Sequence, residues 1–302
     1  MTSKVKIFYS TMAGAPNTIS NTAGTIIPVF DACLVNGWAS QTPTSIIVDA
    51  NGIATVTLSG ANPFDMHTVI QVSGADQPEL NGEHKVISRA ITTCSFQSAI
   101  SNVSATGTIT VKMPGAGWTK EFTGTNKAVY RPGVNDGARP YYLIDDTGTS
   151  TYIVTGYESM TDINTGTGKF EPTYKWYQKA DSAPVRPWCI IANNCSLYIG
   201  VQAYTGSETN PFAWAFFGNY IPNVPQDVYN AYICGDSSSV NAVSSSTSPC
   251  APPYSNSGGT YGTIMRSYNH TAGAVSAWKG VKHIAAVIAN NTLCVYPNPV
   301  DN

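Results

Sequence analysis

Charge is scarce in this chain of 302 residues. Asp, Glu, Lys and Arg together make up 11% of it, whereas an ordinary soluble domain has about 25%. The formal net charge is −2, and the 16 Lys and Arg residues form no basic run. The electrostatic footprint of a nucleic-acid-binding protein is therefore missing, and we expect no nucleic-acid partner.

Polarity comes instead from Ser, Thr, Asn and Gly, accompanied by 17 Tyr and 6 Trp. A surface that is poor in charge and rich in aromatic side chains is typical of permanent assembly interfaces and of extracellular β proteins. The Ser- and Thr-rich surface of an ordinary β-sheet would give the same composition. Composition alone leaves these two interpretations open.

Long apolar runs are absent as well. No stretch approaches the ~20 apolar residues that a membrane-spanning helix needs, so we expect no membrane partner. The N-terminus passes from Met1 into a strand-like alternation without the apolar core of a signal peptide. These absences predict a protein that is made in a cytoplasm and is not exported by the general secretory route.

The seven cysteines include no Cys-x-x-Cys pair, which argues against a zinc site. Cys33 and Cys94 fall on apolar faces, which predicts buried thiols. Two further pairs flank turn-rich loops and could form disulfides in an oxidising medium, namely Cys189 with Cys195 and Cys234 with Cys250. Free thiols are the preferred interpretation.

Motifs for catalysis are missing too. There is no Gly-x-Ser-x-Gly elbow, and the four histidines lie apart in the sequence: His67, His84, His270 and His283. We interpret each as a surface or hydrogen-bonded structural histidine. The paired carboxylates of a glycan depolymerase leave no sequence signature, because their spacing is spatial. The chain has only 18 acidic residues, most of them at turns, so we predict a protein that is not an enzyme and has no cofactor.

One cluster of acidic residues could bind a metal ion. Asp145 and Asp146, together with Asp162 or Glu158, could supply the oxygen ligands that hard cations prefer. The spacing of a calcium-binding loop is absent, however, and turns and strand ends often carry such carboxylates. We therefore predict no metal site here.

The stretch from Thr22 to Gly37 is the one convincing helix in the first two thirds of the chain. Its apolar residues recur at three- and four-residue steps and share one face: Ile26, Val29, Phe30, Cys33 and Leu34. Thr22 can cap the start and Asn36-Gly37 can end the helix, although Pro28 favours a start nearer Thr25. A single amphipathic helix among strands must pack against a sheet, so we expect it at the centre of the main domain.

Residues 45–112 contain six short strands separated by turn signals, at 45–48, 53–58, 68–72, 84–88, 92–96 and 107–112. The strongest signal is Asn51-Gly52, which predicts a tight hairpin. The pattern predicts a self-contained β module, which we expect to be inserted into a main domain of residues 1–44 and 113–302. The predicted fold class is mainly β: a β-sandwich or barrel main domain with one N-terminal helix and an inserted small β module.

The rest of the main domain reads as short strands, at 4–9, 128–130, 141–144, 151–157, 188–192, 197–202, 212–220, 228–234, 285–288 and 293–296. Ser237–Tyr261 is a Ser-, Pro- and Gly-rich loop that a partner would order. In the strand Phe212–Tyr220, alternation puts Phe212, Trp214 and Phe216 on one face, which we expect to be core, and Phe217 on the other. The candidate partner contacts are Phe217, Tyr220, Tyr254 and Tyr261.

Several segments resemble a family of structural proteins from the virions of tailed bacteriophages and prophages. The N-terminal part of the likeness comprises Gly14-Ala-Pro16, Thr22-Ala-Gly24 and Asp31-Ala-Cys-Leu-Val-Asn-Gly37. The later part comprises Gly117-Trp-Thr-Lys120, Phe122-Thr-Gly-Thr-Asn126, Asp145-Asp-Thr-Gly148, Gly156-Tyr-Glu-Ser-Met-Thr-Asp162 and Thr165-Gly-Thr-Gly168. The module at 45–112 resembles an immunoglobulin-like insert that is common in phage structural proteins.

The resemblance implies a non-enzymatic structural component of a virion, made in the host cytoplasm and present in several copies. We expect a position in the tail, neck or baseplate region. A capsid decoration protein and a receptor- or glycan-binding tail module are the alternatives. The expected partners are other virion proteins and copies of the same chain, and a host-surface glycan is a further candidate.

Overall fold

The computed structural model describes residues 5–134, 139–171, 176–180, 184–202, 213–219, 230–234, 262–264, 273–275, 285–288 and 291–294. These residues form antiparallel sheets with little helix, so the predicted mainly β fold class is confirmed. In this part of the chain, no helix has the length and apolar character to span a membrane.

The elements are short and follow one another closely. The first half of the strands are β1 Lys6–Tyr9, β2 Trp38–Gln41, β3 Ser45–Val48, β4 Ile53–Thr57, β5 Val69–Ser73, β6 Gly82–Arg89, β7 Thr93–Gln97, β8 Val103–Ser104, β9 Thr110–Met113, β10 Thr119–Gly124, β11 Lys127–Arg131 and β12 Tyr141–Asp145. The second half are β13 Thr151–Tyr157, β14 Ser159–Met160, β15 Gly166–Thr167, β16 Trp176–Gln178, β17 Trp188–Ala192, β18 Ser196–Val201, β19 Ala213–Asn219, β20 Ala231–Cys234, β21 Gly262–Ile264, β22 Gly273–Val275, β23 Ala285–Ile288 and β24 Asn291–Cys294. The helical segments are α1 Ile27–Phe30, a π-helix at Asp31–Asn36 and a 3₁₀ turn at Pro78–Leu80.

Two sheets pack face to face in the main part of the molecule. One has seven strands in the order β1-β17-β18-β19-β20-β21-β22, and the other has five in the order β10-β11-β12-β13-β16. Tyr142 on β12 and Phe217 on β19 meet between them with ring centroids 5.3 Å apart. The alternation of each strand turns one set of apolar side chains into this shared core, as a β-sandwich requires.

The N-terminal helix lies against both sheets. Phe30 contacts Tyr130 and Tyr152 of the five-stranded sheet and Phe217 of the seven-stranded sheet, with ring centroids 5.8 to 6.1 Å apart. The predicted apolar stripe is completely buried, so the expected central position of the helix is confirmed. Phe30 joins the two sheets through edge-to-face aromatic contacts.

The bounds of the helix differ from the prediction. The helix begins at Ile27 rather than at Thr22 or Thr25, and no side chain caps it from within its own turn. From Asp31 onward it widens into a π-helix, in which Gly37 N–H donates to the carbonyl of Ala32. Gly37 has φ +66° and ends the helix, as the sequence predicted.

A third sheet has eight strands, in the order β2-β9-β5-β6-β7-β4-β3-β8. It curls because the long strand β6 pairs with β5 through Val69↔Lys85 and with β7 through Val86↔Phe96, with a bulge between Val86 and Ser88. The predicted hairpin at Asn51-Gly52 is present and joins β3 to β4. Its eight strands span residues 38–113, since β2 also belongs to the sheet through its pairing with β9.

The curled sheet also contacts the sandwich. The rings of Phe8 on β1 and Trp38 on β2 lie 5.3 Å apart. Lys6 Nζ lies 2.8 Å from Glu83 Oε1, and Lys6 is fully buried. Tyr9 Oη donates to Asp65 Oδ2 at 2.7 Å. Strand β1 is therefore covered by the curled sheet, and the two parts share a continuous apolar core.

Candidate functional site

Asp146 is the centre of a buried polar cluster at the start of the helix, beside the five-stranded sheet. It follows directly after β12, and its side chain is completely buried. Its Oδ2 accepts a hydrogen bond from Ile26 N–H at 2.9 Å, so it caps the N-terminus of the helix from a distant part of the chain. Its Oδ1 accepts from Lys179 Nζ at 2.5 Å.

Lys179, which follows β16, is also completely buried. Besides Asp146, its ammonium donates to the carbonyls of Thr22 at 2.6 Å and Gly148 at 3.1 Å. Burial raises the pKa of Asp146 and lowers the pKa of Lys179, and the hydrogen bond between them opposes both shifts. The carboxylate thus has a lysine ammonium as its cation.

The structure does not assemble the cation site considered from the sequence. Asp145 pairs with Lys127 at 2.7 Å, and Asp162 accepts from the N–H of Asn164 in a turn. Partial burial pushes the pKa of Asp145 upward, but hydrogen bonds from Lys127 and Thr147 outweigh it, so the pKa lies below its usual value. Within the described ranges, no group of three or more His, Cys, Asp or Glu side chains is placed to hold a metal ion.

Segments that carry the family resemblance meet around Asp146. Gly24 N–H donates to the Asp146 carbonyl, and Asp146 N–H donates to the Asn126 carbonyl, both at 2.9 Å. A Cβ at Gly24, where φ is +81°, would lie 2.3 Å from Asn126 Oδ1. The positive φ favours glycine here, and a larger residue would also displace the Asn126 side chain. Three motifs that are far apart in the sequence therefore form one joint.

A second joint lies at the other end of the helix. The carbonyls of Cys33 and Leu34 accept hydrogen bonds from the backbone N–H groups of Ala116, Gly117 and Trp118 at 2.8 to 3.0 Å. The Trp118 indole then donates to the Asn193 carbonyl at 2.7 Å. Here Asp31–Gly37 and Gly117–Lys120, two more of the resembling segments, hold each other by backbone contacts.

The expected partner contact at Phe217 is wrong. Phe216 and Phe217 do lie on opposite faces of β19, but Phe217 points into the core and is completely buried. Its ring contacts Phe30, Trp118 and Tyr142 at 5.3 to 5.9 Å. Alternation separates the two faces of a strand but does not indicate which face the helix covers. The other three candidates, Tyr220, Tyr254 and Tyr261, lie outside the described residues.

The described histidines have structural surroundings. His84 stacks on Phe96 with centroids 4.0 Å apart, and its Nε2 is 2.9 Å from the Leu80 carbonyl. His67 is exposed and has φ +68°. His270 and His283 lie outside the described residues.

Four cysteines lie in the described part of the chain with their side chains: Cys33, Cys94, Cys189 and Cys195. All four are free thiols, and Cys33 and Cys94 are buried, as predicted. The alternative of a disulfide between Cys189 and Cys195 is wrong. Cys189 lies opposite Gly200 in the strand pair, whereas Cys195 lies in the turn beyond the strand. Extended backbone rises about 3.3 Å per residue, which separates the two beyond the ~7 Å Cα distance of a disulfide. Cys250, part of the second pair, lies outside the described residues.

Sequence reasoning did not identify Lys179 as a partner of Asp146. Asp145-Asp146 was visible as an acidic pair, but the lysine follows a separate strand, and no local pattern couples the two. The scarcity of charged residues was the only indirect indication that Asp146 has a specific partner. No protein-family model matches this chain, and no curated protein matches it either.

Proposed function

We propose that this chain is a non-enzymatic structural component of a tailed-phage virion, present in several copies in the tail, neck or baseplate region. The observation that carries the proposal is that residues of the resembling motifs make structural contacts with one another. Asp146, Gly24 and Asn126 form one joint, and Cys33, Leu34 and Trp118 belong to the other. The residues that carry the likeness thus build a framework.

Three acidic residues of these motifs, Asp31, Asp145 and Asp146, support the same proposal. The carboxylate of Asp31 accepts from Tyr130 Oη at 2.7 Å and from Lys120 Nζ at 2.9 Å. Asp145 and Asp146 have Lys127 and Lys179 as partners. Carboxylates that act as general acids or nucleophiles must reach a substrate. Those of Asp31, Asp145 and Asp146 hold strands and the helix together instead.

The surface of the curled sheet also suits a subunit of a larger particle. Met66, Ile87 and Ile91 are exposed by 49%, 41% and 83%. Backbone hydrogen bonds from His67 to Val86 and from Asn62 to Ile91 bring their chain segments to the same part of the sheet. Neighbouring subunits in an assembly would cover such side chains.

Three measurements test the proposal against its rivals. The recombinant chain should show no turnover of peptidoglycan, capsule polysaccharide or ester substrates; turnover that one acidic or histidine substitution abolishes would favour a hydrolase. The copy number per particle, measured with isotope-labelled peptides, should correspond to a small ring or spike. Hundreds of copies would favour a capsid decoration protein, and retention of the purified chain on host-surface glycan would favour a binding module.

A further inference from the structure

The pair formed by Asp146 and Lys179 places an amine directly against a carboxyl group, and these two groups can react with each other. Both side chains are completely buried, and Nζ and Oδ1 are 2.5 Å apart. We infer that Lys179 and Asp146 are a site of intramolecular cross-linking, at which they condense into an amide bond. The bond would join the segment after β12 to the segment after β16, across the strand β13 that lies between them.

The surroundings hold both reacting groups in place. The carbonyls of Thr22 and Gly148 accept hydrogen bonds from Nζ and fix the lysine against the carboxyl group. Ile26 N–H donates to Oδ2, the oxygen that becomes negative when an amine adds to the carboxyl carbon. A fixed donor at that position stabilises the transition state, and a fixed amine removes the entropy cost of bringing the groups together.

The reaction balances without any other reagent. One proton passes from the Lys179 ammonium to Oδ1 of Asp146, which leaves a neutral amine and a carboxylic acid. The Nζ lone pair then attacks Cγ, and the negative charge on Oδ2 is held by Ile26 N–H. A second proton moves from Nζ to Oδ1, the Cγ–Oδ1 bond breaks, and one water molecule leaves. The products are an amide and water.

Burial favours this outcome in two ways. It raises the pKa of Asp146 and lowers that of Lys179, which moves both groups toward the neutral forms that react. It also makes two separate charges costly, whereas a neutral amide carries no such desolvation cost. The neighbouring pair of Lys127 and Asp145 is a natural control, because its side chains are 31% and 21% exposed and water stabilises their charges.

The test is the intact mass of the full-length protein, denatured and reduced so that disulfides do not contribute. We expect a mass one water below that of the sequence, after allowing for the initiator methionine. Trypsin should fail to cleave after Lys179 and should release a branched peptide that contains Asp146. Lys179→Arg should restore the full mass, and Lys127→Arg should leave the deficit unchanged.

A wild-type chain with its full mass, and a linear tryptic peptide ending at Lys179, would overturn the inference and leave an ion pair only. A mass deficit that persists in Lys179→Arg would also overturn it, because the lost water would come from another site. The wild-type measurement does not depend on the folding of any variant. It is also independent of whether the chain is part of a virion.

Discussion

At the scale of single residues, Asp146 is the most deeply buried of the described carboxylates. It neutralises a buried lysine and caps a helix that has no cap of its own. Removing one partner of a buried pair leaves the other charge without compensation, which is costly. Asp145, one residue earlier, makes a partly exposed pair with Lys127, and exposed pairs contribute little.

These adjacent residues give a matched comparison. Asp146→Ala should lower the free energy of unfolding by ~3–5 kcal/mol, whereas Asp145→Ala should lower it by at most about 1 kcal/mol. Chemical denaturation of both variants and the wild type measures the difference. Similar small losses for the two substitutions would contradict the central role of the buried cluster.

The apolar stripe of the helix gives a second prediction. Phe30→Ala or Leu34→Ala should each cost ~2–5 kcal/mol, because each removes a completely buried side chain from the core. Asn36 is exposed at the end of the same helix. Asn36→Ala should cost less than about 0.5 kcal/mol, as is usual for surface substitutions. Thermal unfolding of the three variants checks this, and equal, small shifts would contradict a buried stripe.

At this scale the sequence predicted some contacts and not others. The burial of Ile26, Phe30 and Leu34 followed from their spacing, because periodicity reports which residues share a face. The burial of Phe217 did not follow, because the pattern of β19 fits a core on either side. The pairing of Asp146 with Lys179 was inaccessible for another reason: it depends on β12 and β16 being separated by a single strand.

At the scale of elements, two glycines decide how the helix ends. A Cβ at Gly37 would lie 1.9 Å from the Met113 carbonyl oxygen, and φ at this residue is +66°. A Cβ at Gly115 would lie 2.6 Å from the backbone of Val35. Backbone therefore packs on backbone, and the N–H groups of residues 116–118 reach the last helical carbonyls. These external donors accompany the π-helical end of the segment.

Because the two backbone segments approach so closely, we expect the stability of the protein to depend strongly on Gly37 and Gly115. Gly37→Ala and Gly115→Ala should each lower the free energy of unfolding by more than about 1 kcal/mol, since the added methyl group has no room. Gly60 is the control, because a Cβ there would meet nothing within 4 Å. Gly60→Ala should be neutral or slightly stabilising in the same denaturation experiment. Full stability of the Gly115→Ala chain would show that the joint is looser than described.

The curled sheet gives the next prediction. A chain in which a short flexible linker replaces residues 38–113 should still fold, because all strands of the two sandwich sheets lie outside that range. Its stability should fall, because Lys6, Phe8 and Tyr9 on β1 lose their partners. Residues 38–113 expressed alone should unfold cooperatively. Circular dichroism during heating tests both fragments, and two unfolded products would contradict separate folding.

Element bounds show where local reasoning stops. The strand Ser45–Val48 and the Asn51-Gly52 hairpin were predicted because their signals are local. The strand Trp38–Gln41 was missed, because it contains a bulge and a non-glycine residue with positive φ, Ala39. The start of the helix at Ile27 was also missed, because its cap is Asp146, which lies far along the chain.

At the scale of the whole molecule, the described contacts form a tightly joined body. Two sheets share one aromatic core, a single helix connects them, and the curled sheet packs on the outer strand β1. Charged side chains near these joints form internal ion pairs, such as Lys6 with Glu83 and Lys179 with Asp146. Such a body suits a permanent subunit, whose outer surface neighbouring subunits cover.

The most direct test of the proposed function is the protein content of the particle. If the proposal holds, the chain is encoded by a phage or prophage, whose particles would be purified on a density gradient, washed in high salt and analysed by mass spectrometry. Host cytoplasmic proteins in the same fractions serve as the control for carry-over. The proposal predicts that peptides of this chain remain with the particle at a constant ratio to the major virion proteins. Loss of the chain to the level of the host proteins would contradict a structural role in the virion.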